Sequence, residues 1–275
     1  MYTLGIDIGG TKTRLGIVQY ENVLEVIEIP TPQLSGGPFF QILKKEAEKL
    51  KNFDKIKAVG VGVAGTISNN TLIAAPNLPH LVGAPLKNLA TLAFGHSARI
   101  INDVQAAALY EWHLFQKPKS LWAVFIGTGI GTGLIIDGKL WSGSNGSAGE
   151  IGYFMEKGEK IEDFISAKYI QEKTGLDLKD LKEKVEAKDK EIINFWHSYG
   201  KKLGWALSYG LLLTNPEYLI FGGGVSWAGF KYFKSGLEEI WAEELPAFAL
   251  PKHLALSRGG ENSVLLGASL LSSRF

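Results

Sequence analysis

The sequence predicts an α/β protein of two lobes, each a mixed sheet flanked by helices, with a cleft between them. Three observations carry that expectation. Apolar runs that read as strands end in glycine clusters: Asp7-Ile8-Gly9-Gly10-Thr11-Lys12-Thr13, Gly127-Thr128-Gly129-Ile130-Gly131-Thr132-Gly133 and Phe221-Gly222-Gly223-Gly224. Strand and helix patterns alternate along the chain, as layered α/β folds require. Residues 4–18 and 123–137 share the order strand, glycine–threonine turn, strand, an internal duplication with a period of about 120 residues.

Taken in order, residues 2–8, 13–19 and 23–29 read as three strands, the first two joined by the first glycine turn. Residues 39–51 have helical spacing with charges on one side, and 57–65 form an apolar strand ending in Gly65-Thr66. A helix over 86–94 and a short strand over 99–102 precede a helix over 104–115 that opens after Asp103. The pattern restarts with a strand over 121–127 and a second arm over 133–136. Asp137-Gly138 then forms a tight hairpin turn, and 139–141 run outward. Helices are expected over 161–174, 178–187 and 191–213, the last stopped by Thr214-Asn215-Pro216. A strand over 218–221, a helix over 227–244, a strand over 253–257 and a helix over 263–272 complete the chain. The lobe boundary falls near Pro118, giving lobes of 1–117 and 118–275, with the terminal helix crossing back to the first.

Composition narrows the function. The 275 residues carry a formal charge of +1, which offers no field for nucleic acid or an anionic membrane surface. Cysteine is absent, so disulfides, thiolate zinc sites and a cysteine nucleophile are excluded together. No signal peptide and no apolar stretch of about twenty residues is read, so a cytoplasmic location is expected. The 33 glycines gather at strand exits, where backbone N–H groups can approach a phosphate closely. Three such turns in one chain suggest a nucleotide held between two lobes.

Two familiar patterns are decoys. Gly60-Val61-Gly62-Val63-Ala64-Gly65 matches a dinucleotide fingerprint, but the residues from Thr66 do not open a helix and no acid lies about twenty positions on. Gly133 to Lys139 mimics a Walker A loop, yet Leu140 stands where Ser or Thr is needed.

The candidate chemistry lies in three acids. Asp7 ends an otherwise apolar strand, where a charge is costly unless paired or bound to a cation. It would either orient hydrated Mg²⁺ beside phosphates or cap the Gly9-Gly10 turn. Asp103 is open to two readings as well: an N-cap, or a general base at a helix N-terminus facing the cleft. Glu150 closes the glycine-rich loop 143–149, where it would accept sugar hydroxyls or be a solvated surface acid.

Taken together these segments resemble the ROK family of sugar kinases and sugar-responsive regulators, within the actin/hexokinase/Hsp70-like superfamily. The matching pieces also include Ala75-Pro76-Asn77-Leu78, Asn102-Asp103-Val104-Gln105, Gly149-Glu150-Ile151-Gly152 and Leu266-Gly267-Ala268. They span nearly the whole chain in the family's order. The resemblance implies a two-lobed actin-like ATPase (ribonuclease H-like) fold. It makes Asp103 the catalytic base and Asn77, Asn102 and Glu150 sugar ligands, with Gly65 and Thr66 lining the same pocket. Gly9, Gly10, Thr11, Lys12, Thr13 and residues 127–133, among them Gly127, Thr128, Gly129, Gly131 and Thr132, would carry the ATP phosphates. Gly222, Gly223 and Gly224 would lie against the nucleotide, and Asp7 would order Mg²⁺ through water. The resemblance also implies a homodimer.

The departures from the family pattern fall around the sugar. Most members carry Glu-x-Gly-His followed by a cysteine-rich zinc loop; here the residues are Glu150-Ile151-Gly152-Tyr153 and the loop contracts to 154–160, so no structural zinc is expected. Tyr153 would donate to a sugar hydroxyl or simply pack. Glu162, just after the shortened loop, would be another sugar ligand. The expected activity is ATP-dependent phosphorylation of the 6-hydroxyl of glucose or a related hexose or amino sugar. The competing expectation is a kinase-like sugar-binding regulator without its own DNA-binding domain.

Overall fold

The computed structural model describes residues 1–156 and 158–272. Two five-stranded sheets repeat one design. The first has the order β3-β2-β1-β4-β7, from β1 (Tyr2–Ile8), β2 (Lys12–Gln19), β3 (Asn22–Pro30), β4 (Ile56–Val63) and β7 (Ala98–Asn102). The second has the order β10-β9-β8-β13-β14, from β8 (Leu121–Ile126), β9 (Ile130–Ile136), β10 (Lys139–Trp141), β13 (Tyr218–Gly222) and β14 (His253–Leu256). In each, three antiparallel strands formed by two hairpins continue into two parallel ones. The internal duplication is therefore a duplication of topology. Hairpins need only short turns, whereas the parallel neighbours need crossovers, which the helices supply.

The first sheet packs on α1 (Gly36–Ala47) and α2 (Leu86–Phe94) around Leu4, Ile6, Phe39, Phe40 and Val61, all fully buried. The second packs on α7 (Lys190–Thr214) and α8 (Gly223–Glu244) around Trp196, Leu203, Phe221 and Phe233. Between the two sheets lie α3 (Asp103–Leu114) and α9 (Ser263–Ser272), the helices that follow the last strand of each sheet. They touch backbone to backbone: a Cβ on Gly267 would come 1.8 Å from the carbonyl oxygen of Ala106. The terminal helix α9 lies on the first sheet, with Gly5 facing Leu265 and Gly60 facing Ala268.

Several boundaries differ from expectation for local reasons. The helix expected over 161–174 is two, α4 (Ile161–Ile165) and α5 (Ala167–Thr174), because the Ser166 hydroxyl caps the second. The helix α8 starts at Gly223, four residues earlier than its apolar spacing indicates. A hairpin of β5 (Thr66–Ser68) and β6 (Thr71–Ala74) follows β4, turning at Asn69 and Asn70, both at positive φ as a two-residue hairpin turn requires. β11 (Met155–Glu156) and β12 (Glu159–Lys160) form a second small ribbon ahead of α4, and α6 (Leu178–Glu186) joins α5 to α7. No helix among the described residues is long and apolar enough to cross a membrane.

Candidate functional site

The first glycine turn joins β1 to β2. Gly9 closes it by donating its N–H to the Lys12 carbonyl at 3.0 Å, and its own carbonyl accepts from the Thr31 hydroxyl at 2.7 Å. Because that proton of Thr31 is committed, the 3.0 Å contact between Thr13 and Thr31 has Thr13 as donor. Thr13 is thus buried beneath the turn, not on its phosphate-facing surface as expected: strand alternation turns it inward. The N–H groups of Gly10 and Thr11 have no partner among the described residues. Gly10 lies against Asn77, whose Cβ would stand 2.6 Å from a Cβ at position 10. That contact sets a residue expected on the sugar side directly beside the turn expected to carry phosphate. Lys12 meets Glu28 of β3 at 2.6 Å in an exposed ion pair, the kind worth at most about 1 kcal/mol and readily exchanged for a phosphate.

The second turn is shorter than the sequence suggests. Gly131 and Thr132 are within β9, paired with β8, and Thr132 gives its hydroxyl to the Gly149 carbonyl at 2.7 Å. Only Gly127, Thr128 and Gly129 remain as the turn. Gly127 spends its N–H on Gly129, which leaves the N–H groups of Thr128 and Gly129 without a partner among the described residues. The third cluster arrives beside it. Gly222 is the extended N-cap of α8, and Gly223, at φ +83°, packs so closely that a Cβ would come 2.3 Å from the Ile126 carbonyl oxygen. Gly224 follows in the first turn, so the N-terminus of a 22-residue helix sits next to the second glycine turn. Helix N-termini favour anions through their free N–H groups and dipole.

The third component is the start of α3. Asn102, not Asp103, is its N-cap: the Asn102 side chain accepts the Gln105 N–H at 3.0 Å and donates to the Gly65 carbonyl at 3.1 Å. Asn102 thereby ties α3 to Gly65, which at φ +152° enters the β5–β6 hairpin, and so to Thr66. Asp103 is released from capping and occupies the first helical position, its Oδ1 accepting the Val104 N–H at 2.9 Å. Gln105, whose side chain carries no local sequence signal for this role, reaches the opposite way and donates to the Gly146 carbonyl at 3.2 Å. Gly146 is seated on the hairpin, where a Cβ would stand 1.9 Å from the Ile67 carbonyl oxygen. The loop from the second half is therefore pinned on the first half, and Glu150 comes to the cleft at its end.

Glu162, expected as a further sugar ligand, stands where the second turn meets the Glu150 loop, and its charge acts on Glu150. Its carboxylate accepts the Ile130 N–H at 3.0 Å and fills the space above Gly129, bracing the second turn. Tyr153 is exposed, with Lys160 over its ring at 4.7 Å.

Electrostatics join these pieces into a row. The Asp7 carboxyl is pushed up to about 7, by burial first and then by the negative charge of Asp103, while Arg14 acts against the rise. Asp103 is raised by burial, which its hydrogen bonds from the backbone and Asn102 oppose. Glu150 is exposed to solvent at the end of its loop, and its carboxyl is raised by desolvation first and then by the charges of Asp103 and Glu162. A line of carboxylates thus runs from the first glycine turn, through the tip of α3, to the second turn. No group of three or more potential metal ligands exists among the described residues. Two repelling carboxylates with oxygen donors fit Mg²⁺, which holds one or two carboxylates, keeps several waters and completes its shell with phosphates. A groove of about 620 Å³ beside β14 holds none of these acids, and we place no chemistry there.

A profile of the ROK family matches residues 3–274. The chain belongs to the ROK family. An N-acetyl-D-glucosamine kinase of Erwinia tasmaniensis is 27% identical over 98% of this chain and 99% of its own length. An N-acetylmannosamine kinase of Vibrio cholerae is 37% identical, over 56% of this chain and 54% of that protein. Among solved structures, a candidate sugar kinase from Cytophaga hutchinsonii has a TM-score of 0.90 at 25% identity, covering 98% of this chain and 99% of that one. In this ROK protein the two glycine turns and the carboxylate row occupy one cleft between topologically repeated halves.

Proposed function

We propose that this ROK protein is an ATP-dependent hexose kinase that transfers the γ-phosphoryl group to the 6-hydroxyl of glucose or a related hexose or amino sugar. One observation carries the reading: Asp103, free of capping duty at the tip of α3, interacts both with Asp7 beside the first glycine turn and with Glu150 of the opposite loop. A base there stands between a phosphate-binding turn and a loop suited to hydroxyl groups. The two relatives named as kinases of N-acetylated hexosamines support a sugar as acceptor.

In the proposed reaction Asn77, Asn102 and Glu150 hold the sugar's hydroxyls, with Gly65 and Thr66 lining the pocket. Tyr153 at the rim is a further contact for the sugar. Asp103 takes the proton of the attacking hydroxyl, a contribution of about 10²–10⁴ in rate. Burial raises the Asp103 carboxyl above the ordinary carboxylate range, which makes it a stronger proton acceptor than an exposed aspartate. The free N–H groups of Gly10, Thr11, Thr128 and Gly129 and the N-terminus of α8 supply donors for the phosphates. Lys12 exchanges Glu28 for phosphate oxygen. Asp7 would hold Mg²⁺ through water, and the ion when bound neutralises charge on the phosphates. Closure of the two halves excludes water as a competing acceptor.

The test is a coupled assay with ATP and Mg²⁺ against glucose, mannose, fructose, N-acetylglucosamine and N-acetylmannosamine. Turnover of at least one sugar, with 6-phosphate as product, is expected. Tight sugar binding without turnover of any of them would instead make the protein a sugar-responsive regulator.

A further inference from the structure

In the last turn of α3 lies an acid that the proposed reaction does not use. Glu111 is 0% exposed, in a helix whose other buried residues are Ala, Leu, Tyr and Trp apart from Gln105 near its start. A buried carboxylate is costly unless its oxygens are satisfied. Its partners come from far away in the chain: the Ser257 hydroxyl at 2.7 Å and the Gly259 N–H at 2.8 Å on Oε1, and the Arg258 N–H at 3.0 Å on Oε2. Three donors from one short segment grip one side chain.

The same segment grips the first sheet a few residues later. The Arg14 guanidinium donates to the Glu261 carbonyl and, at 2.8 Å, to Asn262 Oδ1. Arg14 is the register partner of Asp7 across β1 and β2. Immediately after Asn262, α9 begins, and its first turn sets Val264 against Gly62 and Leu265 against Gly5. Gly62 in turn lies within 3.6 Å of the Asp103 Cα, measured from where its Cβ would be. A closed circuit results, from Asp103 along α3 to Glu111, through 257–262 to Arg14, and across the sheet to Asp7.

We propose that residues 257–262 are a strap that holds the Asp7 strand in register with the Asp103 helix, with Glu111 and Arg14 as its two fastenings. Glu111 and Arg14 are then positioning residues for phosphoryl transfer, a role that rests on the kinase reading above. A strap of this kind acts on the alignment of the reacting groups and leaves the sugar and nucleotide pockets formed. Misplacing catalytic groups by about 1 Å is enough to cost on the order of 10²-fold in rate.

Conservative variants of the full chain test it. Glu111→Gln keeps the shape but sets an amide NH₂ against a donor. Arg14→Lys keeps the charge but loses the planar fork that spans two acceptors. Each is expected to lower kcat by about tenfold with both KM values within about twofold, and the double variant to fall no further than the worse single one. Independent sites would multiply instead, so a loss of about a hundredfold in the double variant overturns the proposal. Full kcat with a lowered melting temperature, or an effect confined to KM, overturns it too. Amide exchange keeps the strap testable if the wild-type protein phosphorylates no sugar. Arg14→Lys is expected to speed exchange at Arg258 and Gly259, distant from the substitution in sequence; unchanged protection there rejects the strap whatever the activity.

Discussion

Asp7 and Asp103 lie close enough for their charges to repel, although one ends a strand of the first sheet and the other begins the helix between the sheets. Burial does most to hold the Asp7 carboxyl at about 7, and Asp103 adds to it. This concentration of unfavourable charge does not stabilise the fold. The proposed function gives it a purpose, a bound cation and a transferred proton, and several consequences can be measured.

The first is a pH dependence of stability. The folded value of Asp7, about 7, lies above the 3.8 of an ordinary aspartate, so the folded protein binds more protons than the unfolded chain between those limits. Stability without metal or nucleotide therefore falls as pH rises from about 4 to about 7, by on the order of 4 kcal/mol for a shift of this size. Asp7→Asn is expected to raise the melting temperature at pH 8 and to change it little at pH 4. A variant less stable than wild type at pH 8 would show that Asp7 is well paired in the fold.

A second concerns Glu162. Its carboxylate accepts the Ile130 N–H and lies over Gly129 in the second glycine turn, while its charge also acts on Glu150. Glu162→Ala is expected to raise KM for ATP by about tenfold, the loss of one charge-assisted hydrogen bond, with the sugar KM within about twofold. A rise in the sugar KM alone would restore the sugar-ligand role that the sequence suggested.

A third concerns the loop that carries Glu150. Gly146 has φ +90° and its Cβ would overlap the Ile67 carbonyl. Gly146→Ala is expected to destabilise the protein by about 1–3 kcal/mol through strain and to raise the sugar KM more than the ATP KM. Thermal denaturation and steady-state kinetics on the same preparation decide it; equal effects on both substrates would contradict the placement of this loop.

Much of this architecture is legible in the sequence because it is local. The apolar strands, their glycine exits and helices such as α2 and α9 are set by periodicity and turn chemistry, and the ordered motifs identify the family. What escapes is set by distant partners. Thr13 reads as a donor at a phosphate turn, yet its place under the turn depends on Thr31, 18 residues on. Gly223 reads as part of a loop, but close packing on Ile126 makes it the first residue of α8. Asp103 reads equally as a cap or a base until Asn102 is seen to take the capping role. Glu111 carries no local signal beyond a charge in an apolar helix, since its partners lie at 257–259.

The most direct measurement is phosphoryl transfer by Asp103→Asn, paired with calorimetric titration of the preferred sugar. The expected result is a loss of turnover of about 10²–10⁴-fold while the sugar dissociation constant stays within a few-fold of wild type. Retained turnover in that variant would remove Asp103 as the base, and with it the assignment of this cleft to sugar phosphorylation.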